Sequence, residues 1–122
     1  MTDSILDSIK EKVGIKDTSI KAFDSEIIMD INMAFGFLNR IGVGPKVCYK
    51  IEDAENTWDE FIGDADPRLE SVKEYVAIQV KLMFDSNSMS NAMVEIYKQH
   101  ANEIEYTLMV SVDPDPLTYS EE

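Results

Sequence analysis

Between Leu69 and Phe84 apolar residues recur on two faces of one helical period. Leu69, Val72, Val76, Val80 and Met83 form one stripe, and Tyr75, Ile78 and Leu82 form a second on a neighbouring face. From Tyr75 onward only Gln79 and Lys81 interrupt the apolar run. A helix apolar on two faces must be covered on both, so the pattern predicts a central helix with the rest of the chain as its cover.

Ile5, Leu6, Ile9 and Val13 share helical spacing, with Thr2 or Asp3 as the expected N-cap and Gly14 at the expected left-handed stop. A helix this short needs a docking surface. After a polar link from Lys16 to Lys21, Asp24 is the expected N-cap of a second long helix, with Phe23 and Ile28 spaced as a hydrophobic staple. Ile27, Ile28, Ile31, Phe35, Leu38 and Ile41 give it an apolar face, thickened by Met29, Met33 and Phe37, and Gly42 ends it.

Residues 42–56 are the least regular. Val47, Tyr49 and Ile51 alternate with Cys48 and Lys50, the pattern of a short strand, but no second strand exists for it to pair with. The segment therefore reads as a loop, or as an edge awaiting a partner. Its glycines lack the preceding strand and the Lys-Ser/Thr ending of a phosphate-binding loop. Thr57 to Glu60 has the form of a capping box opening a short helix that Gly63 closes, with Trp58 and Phe61 assigned to the core. Asp66-Pro67 is the expected start of the central helix. The break at residues 85–88 then leads into a last helix, capped by Ser86 or Ser88 and lined by Met89, Met93, Ile96, Tyr97, Ile104 and Leu108. The short connection predicts that these two helices are antiparallel. Asp113-Pro114-Asp115-Pro116 stops the last helix before an acidic tail.

The expected fold is all-α: a small antiparallel bundle of four to five helices in one domain over 1–112, an irregular loop at 42–56, and a flexible acidic tail over 113–122. The length of 122 residues suits one domain with a real core. No run reaches the ~18 to 20 apolar residues of a membrane span, and the start lacks the pattern of a signal peptide, so a soluble, intracellular protein is expected.

The formal net charge of -13 argues against gripping nucleic acid by its phosphates. Glu52, Asp53, Glu55, Asp59, Glu60, Asp64 and Asp66 fall in one stretch without a base. The plain reading of that cluster is a solubilising surface. The single cysteine, Cys48, excludes an internal disulfide, and the one histidine, His100, has no Glu or His four residues away to complete a metal site. No local motif pairs a nucleophile with a base, so neither enzyme activity nor a cofactor is expected.

The order of motifs resembles the head-tail connector (adaptor) proteins of tailed bacteriophages and prophages. The resemblance rests on Leu38-Asn39-Arg40-Ile41-Gly42-Val43-Gly44, then Thr57-Trp58, then Val72, Lys73, Tyr75 and Val76 running into Lys81-Leu82-Met83-Phe84-Asp85. It covers roughly residues 4–110. Where family members commonly carry prolines after Phe-Asp, this chain has Ser86 and Asn87.

The resemblance implies a helical subunit without catalytic residues, forming a ring, dodecameric in the virion, beneath the portal protein. It would complete the DNA-filled head and offer a docking surface to a tail-completion or stopper protein. The expected location is the virion neck, reached from the host cytoplasm, with DNA passing through unbound and no membrane contact. On that reading Pro45, Lys46, Val47, Tyr49, Ile51, Leu117 and Tyr119 are candidate subunit or portal contacts. Glu52, Asp53, Glu55, Asp59 and Asp64 are candidate channel acids. The alternative is a small acidic helical regulator that binds a basic partner as a DNA mimic.

Overall fold

In the computed structural model, which describes residues 4–15, 21–44, 47, 49–62, 66–85 and 89–112, the doubly apolar helix is central. The elements are α1 (Ile5–Lys12), α2 (Asp24–Arg40), α3 (Trp58–Phe61), α4 (Leu69–Asp85) and α5 (Asn91–Val112). Val72, Tyr75, Val76 and Val80 of α4 are fully buried, and Ala77 and Ile78 nearly so. α2 and α5 are its main cover, and α1 packs on both α2 and α4. Each such burial contributes about 1.5–3 kcal/mol, which holds the small elements in place.

α4 and α5 run antiparallel. Tyr75 Oη donates to Glu105 Oε2 at 2.7 Å, and five residues back along α5 His100 Nε2 meets Glu74 Oε1 at 3.0 Å. Farther along α4, Ile78 and Lys81 share a groove with Tyr97, earlier in α5. Among the described residues there is no strand, only one isolated antiparallel bridge between Ser4 and Thr57.

Several local expectations are corrected. Ser4, not an earlier residue, caps α1, its Oγ accepting the Asp7 amide at 3.3 Å, while Gly14 takes the expected left-handed φ of 101°. Asp24 does not cap α2. Phe23 occupies that position without a side-chain bond, and Asp24 Oδ1 instead accepts from Lys10 Nζ at 2.7 Å. The reason is electrostatic: Lys10 is only 1% exposed, and a buried ammonium demands a counter-charge. Phe23 packs edge-on against Phe84.

The capping box at Thr57 is half formed. The Thr57 hydroxyl makes no cap bond, whereas the Glu60 carboxylate does take the Thr57 amide. α4 begins at Leu69, so Pro67 stands just outside it, in a turn where Asp66 Oδ1 accepts the Arg68 amide at 2.8 Å. Ser90 caps α5 by accepting the Met93 amide at 3.1 Å; Ser86 and Ser88 lie outside the described residues, as do Gly63 and Cys48.

The expected strand over Val47, Tyr49 and Ile51 is absent from the described residues, and a side chain supplies the missing partner. Asn32 of α2 donates from Nδ2 to the Ile51 carbonyl at 3.1 Å and accepts the Ile51 amide at Oδ1 at 2.7 Å. The loop is thus clamped to the middle of α2. Beside the clamp, Phe35 stacks on Phe61 at 4.5 Å and meets Tyr49 and Trp58 edge-on. Trp58 and Phe61 are core, as their spacing predicts, and Trp58 Nε1 donates to Ser8 Oγ at 2.8 Å. Gly44 closes the cluster: its φ is 94°, and a Cβ there would lie 2.5 Å from the Phe61 ring.

Candidate assembly surfaces

The acidic loop is organised from its inner side. Asn56 Oδ1 accepts the amides of Glu52 and Asp53 at 2.8 and 3.4 Å, and Asp53 Oδ1 accepts the Glu55 amide at 2.9 Å. The Asn56 carbonyl takes the Ile5 amide at 3.0 Å, tying the loop to the start of α1. Glu52, Asp53, Glu55, Asp59 and Glu60 are all exposed. Glu60 Oε1 accepts from Asn56 Nδ2 at 3.0 Å and from Tyr49 Oη at 2.7 Å. These bonds hold the Glu60 carboxyl below the ordinary carboxylate range, while burial and the Glu60 contact push the Tyr49 phenol upward. The Arg68 guanidinium lowers Asp66 in the same way. The loop is therefore a fixed display of negative charge.

The candidate contact residues separate into three groups. Val47 is 83% exposed. Tyr49 is half-buried among aromatic rings, and Ile51 is buried and clamped by Asn32. Pro45, Lys46, Asp64, Leu117 and Tyr119 lie outside the described residues.

Exposed apolar side chains that the periodicity assigns to the core stand elsewhere. On α2, Met29 is 63% and Met33 49% exposed. On α5, Met93 and Ile96 are exposed, while Ala101, Ile104 and Leu108 are buried; Tyr106 and Met109, which the periodicity leaves out of the core, are exposed as well. The signal was available: in α2 the apolar residues span more of the helix than one face can bury, and Met29 and Met33 lie opposite Ile31, Phe35 and Leu38.

A groove of roughly 270 Å³ opens between α1, α4 and α5. Ala77, Ile78 and Tyr97 form its apolar floor, and Lys12, Lys81, His100 and Glu74 its polar rim. His100 is about half exposed and engaged with Glu74. Among the described residues no group of three or more His, Cys, Asp or Glu side chains could hold a metal ion, and no described helix is long and apolar enough to cross a membrane.

A helical bundle with a cluster of exposed acids on its 52–60 loop and exposed apolar side chains on α2 and α5 has the surfaces of a structural assembly module. The chain is a member of the phage connector protein family, whose model matches residues 5–115. Comparison with curated proteins and with solved structures gives no match. Family membership carries a structural role in joining phage head to tail, at the virion neck. It implies contact with portal or tail components and oligomerisation in general terms, and the family is not one of enzymes.

Proposed function

We propose that the chain forms a ring beneath the portal that completes the filled head, receives the tail, and passes DNA along an acidic wall. The observation that carries this reading is the pairing of exposed apolar strips on α2 and α5 with a family match across almost the whole domain. Apolar side chains at 49–63% exposure on α2 carry a solvation penalty in a free monomer that subunit contact removes. A ring uses heterologous contacts, one face of each subunit meeting a different face of the next.

The channel acids are Glu52, Asp53, Glu55 and Asp59, with Asp64 beyond the described residues. Carboxylates repel phosphates within a Debye length of ~8 Å at physiological salt, so DNA slides past without adhering. Exposed Val47 with Pro45 and Lys46, and Leu117 with Tyr119 in the tail, serve as portal contacts.

Cryo-electron microscopy of neck particles from the phage that encodes the chain tests the ring. Density for it as a closed ring against the portal is expected; its placement elsewhere in the virion refutes the reading. Reversing Glu52, Asp53, Glu55 and Asp59 to lysine should slow DNA ejection, and equal rates would remove the channel assignment. Deleting residues 113–122 should weaken portal binding, and unchanged binding would remove the tail contact. The DNA-mimic alternative predicts tight capture of a basic protein by the free chain.

A further inference from the structure

We infer that neighbouring copies join by seating the outward face of α2, Met29 and Met33 flanked by Glu26, in the groove bordered by Lys12, Lys81 and His100 on the next copy. The inference rests on the ring reading above and names its two faces.

The α2 face is a continuous stripe. Glu26, Met29, Met33, Gly36 and Arg40 follow one another at alternating intervals of three and four residues, on the side away from buried Ile27, Ile31 and Phe35. Such spacing is how a helix presents anchors to a groove. Gly36 adds a second sign. A Cβ there would meet nothing within 4 Å, so the subunit itself does not require glycine, which costs about 0.5–1 kcal/mol relative to alanine inside a helix. Close approach by another chain gives the missing side chain a use.

The groove face complements it. Its floor is apolar, and the Met93 and Ile96 side chains of α5, on the same side as His100, extend that surface outward. Lys12 and Lys81 lie on its rim, and among the described residues neither is ion-paired. Glu74, the one acid there, is engaged by His100 at 3.0 Å.

Opposite it, α2 carries Glu26 and Asp30 one turn apart and no base before Arg40, whose guanidinium sits over Phe37. Burial and the charge of Glu26 raise the Asp30 carboxyl above its usual range, as expected of an acid without a cation nearby. Pairing two α2 faces would set these acids against each other. Pairing α2 with the groove matches them to lysines, and a contact between unlike faces propagates head to tail until it closes.

Charge exchange in the full chain, read by sedimentation over a concentration series, tests the assignment. Glu26→Lys with Asp30→Lys, and separately Lys12→Glu with Lys81→Glu, should each weaken self-association by roughly 10- to 100-fold. The first pair lowers the net negative charge and the second raises it, so an effect of net charge alone would move them in opposite directions. Mixing the two variants, or combining all four substitutions in one chain, should restore association. Urea midpoints establish that each variant folds.

Wild-type association that either pair leaves unchanged, or that the mixture fails to restore, overturns this pairing and leaves the ring intact. A wild-type chain that stays monomeric at every concentration also overturns it, while the ring itself stands or falls on the neck particles.

Discussion

Replacing Asn32 with alanine removes the clamp that holds the acidic loop on α2, and the sign of the result discriminates between two accounts. If Asn32 were only a helix residue, alanine would stabilise the protein, because alanine is favoured over asparagine in helices by about 0.6 kcal/mol. The structure predicts the reverse. Asn32 Oδ1 takes the Ile51 amide at 2.7 Å and Nδ2 gives to the Ile51 carbonyl at 3.1 Å, with Ile51 only 2% exposed. Each bond is worth about 1 kcal/mol net, and a buried amide left without an acceptor costs about 1–3 kcal/mol. Asn32 is itself half-buried, so water can reach part of the site, and the propensity gain offsets some of the loss. A net destabilisation of about 1–3 kcal/mol remains, a large share of the 5–15 kcal/mol typical of a domain. Urea unfolding measures it, and native-state hydrogen exchange locates it: the Ile51 amide should be protected in the wild type and lose protection first in Asn32→Ala. A variant as stable as the wild type or more so, with Ile51 still protected, would refute the clamp.

Two glycines should respond oppositely to alanine. Gly44→Ala sets a Cβ 2.5 Å from the Phe61 ring at a φ of 94° and should cost about 1–3 kcal/mol in urea unfolding, whereas Gly36→Ala, with open space around it, should stabilise by about 0.5–1 kcal/mol. Asp24→Ala, which removes one carboxylate partner of buried Lys10, should cost about 1–3 kcal/mol, and adding Lys10→Met should recover much of that loss; equal stabilities for the single and double variants would show that the ion pair does not hold α1 to α2. The Glu60 carboxyl titrates lower folded than unfolded, so its stabilising effect is present above the ordinary glutamate range and fades as pH falls through the folded value. Urea midpoints on an acid series should therefore fall less steeply for Glu60→Gln than for the wild type, and parallel curves would count against its bonds to Asn56 and Tyr49.

The helical core was legible because its signal is local. The two stripes of α4 already demanded cover on two sides, and α2 and α5 supply it. The same periodicity overreached at Met29, Met33, Met93 and Ile96, since it reports which residues are apolar and not how many of them the bundle has room to bury. The alternation of Val47, Tyr49 and Ile51 raised a different difficulty. It pointed to a backbone seeking a partner, but that partner is one asparagine side chain nineteen positions earlier, in the middle of a helix. Nothing local to either segment records the pairing. Ile51 and Tyr49 consequently sit in or beside the core, and of the alternating residues only Val47 is fully turned to solvent. The acidic display at 52–60 was legible in composition, whereas its fixed geometry depends on Asn56, an uncharged residue that a charge count passes over.

The net negative charge of the whole chain makes salt a lever on assembly. Two bodies of charge -13, with centres ~35 Å apart for a domain of this size, repel by about 20 kcal/mol in unscreened water. At physiological ionic strength screening leaves about 2 kcal/mol of this, and at ~10 mM salt several-fold more. Matched surface pairs between lysines and acids return only about 0.2–1 kcal/mol each, so they set which faces meet without offsetting the net repulsion. Burial of apolar strips such as Met29 and Met33 must supply the attraction, and salt does not weaken that burial. Self-association should consequently tighten as salt rises from low to physiological values, opposite to the behaviour of contacts held by ion pairs. Sedimentation across that range measures it, and association tightest at the lowest salt would show that charge pairs rather than apolar strips drive the contact. Repulsion of this size weakens association of free copies most at low salt, and any partner that concentrates copies in one place would offset it.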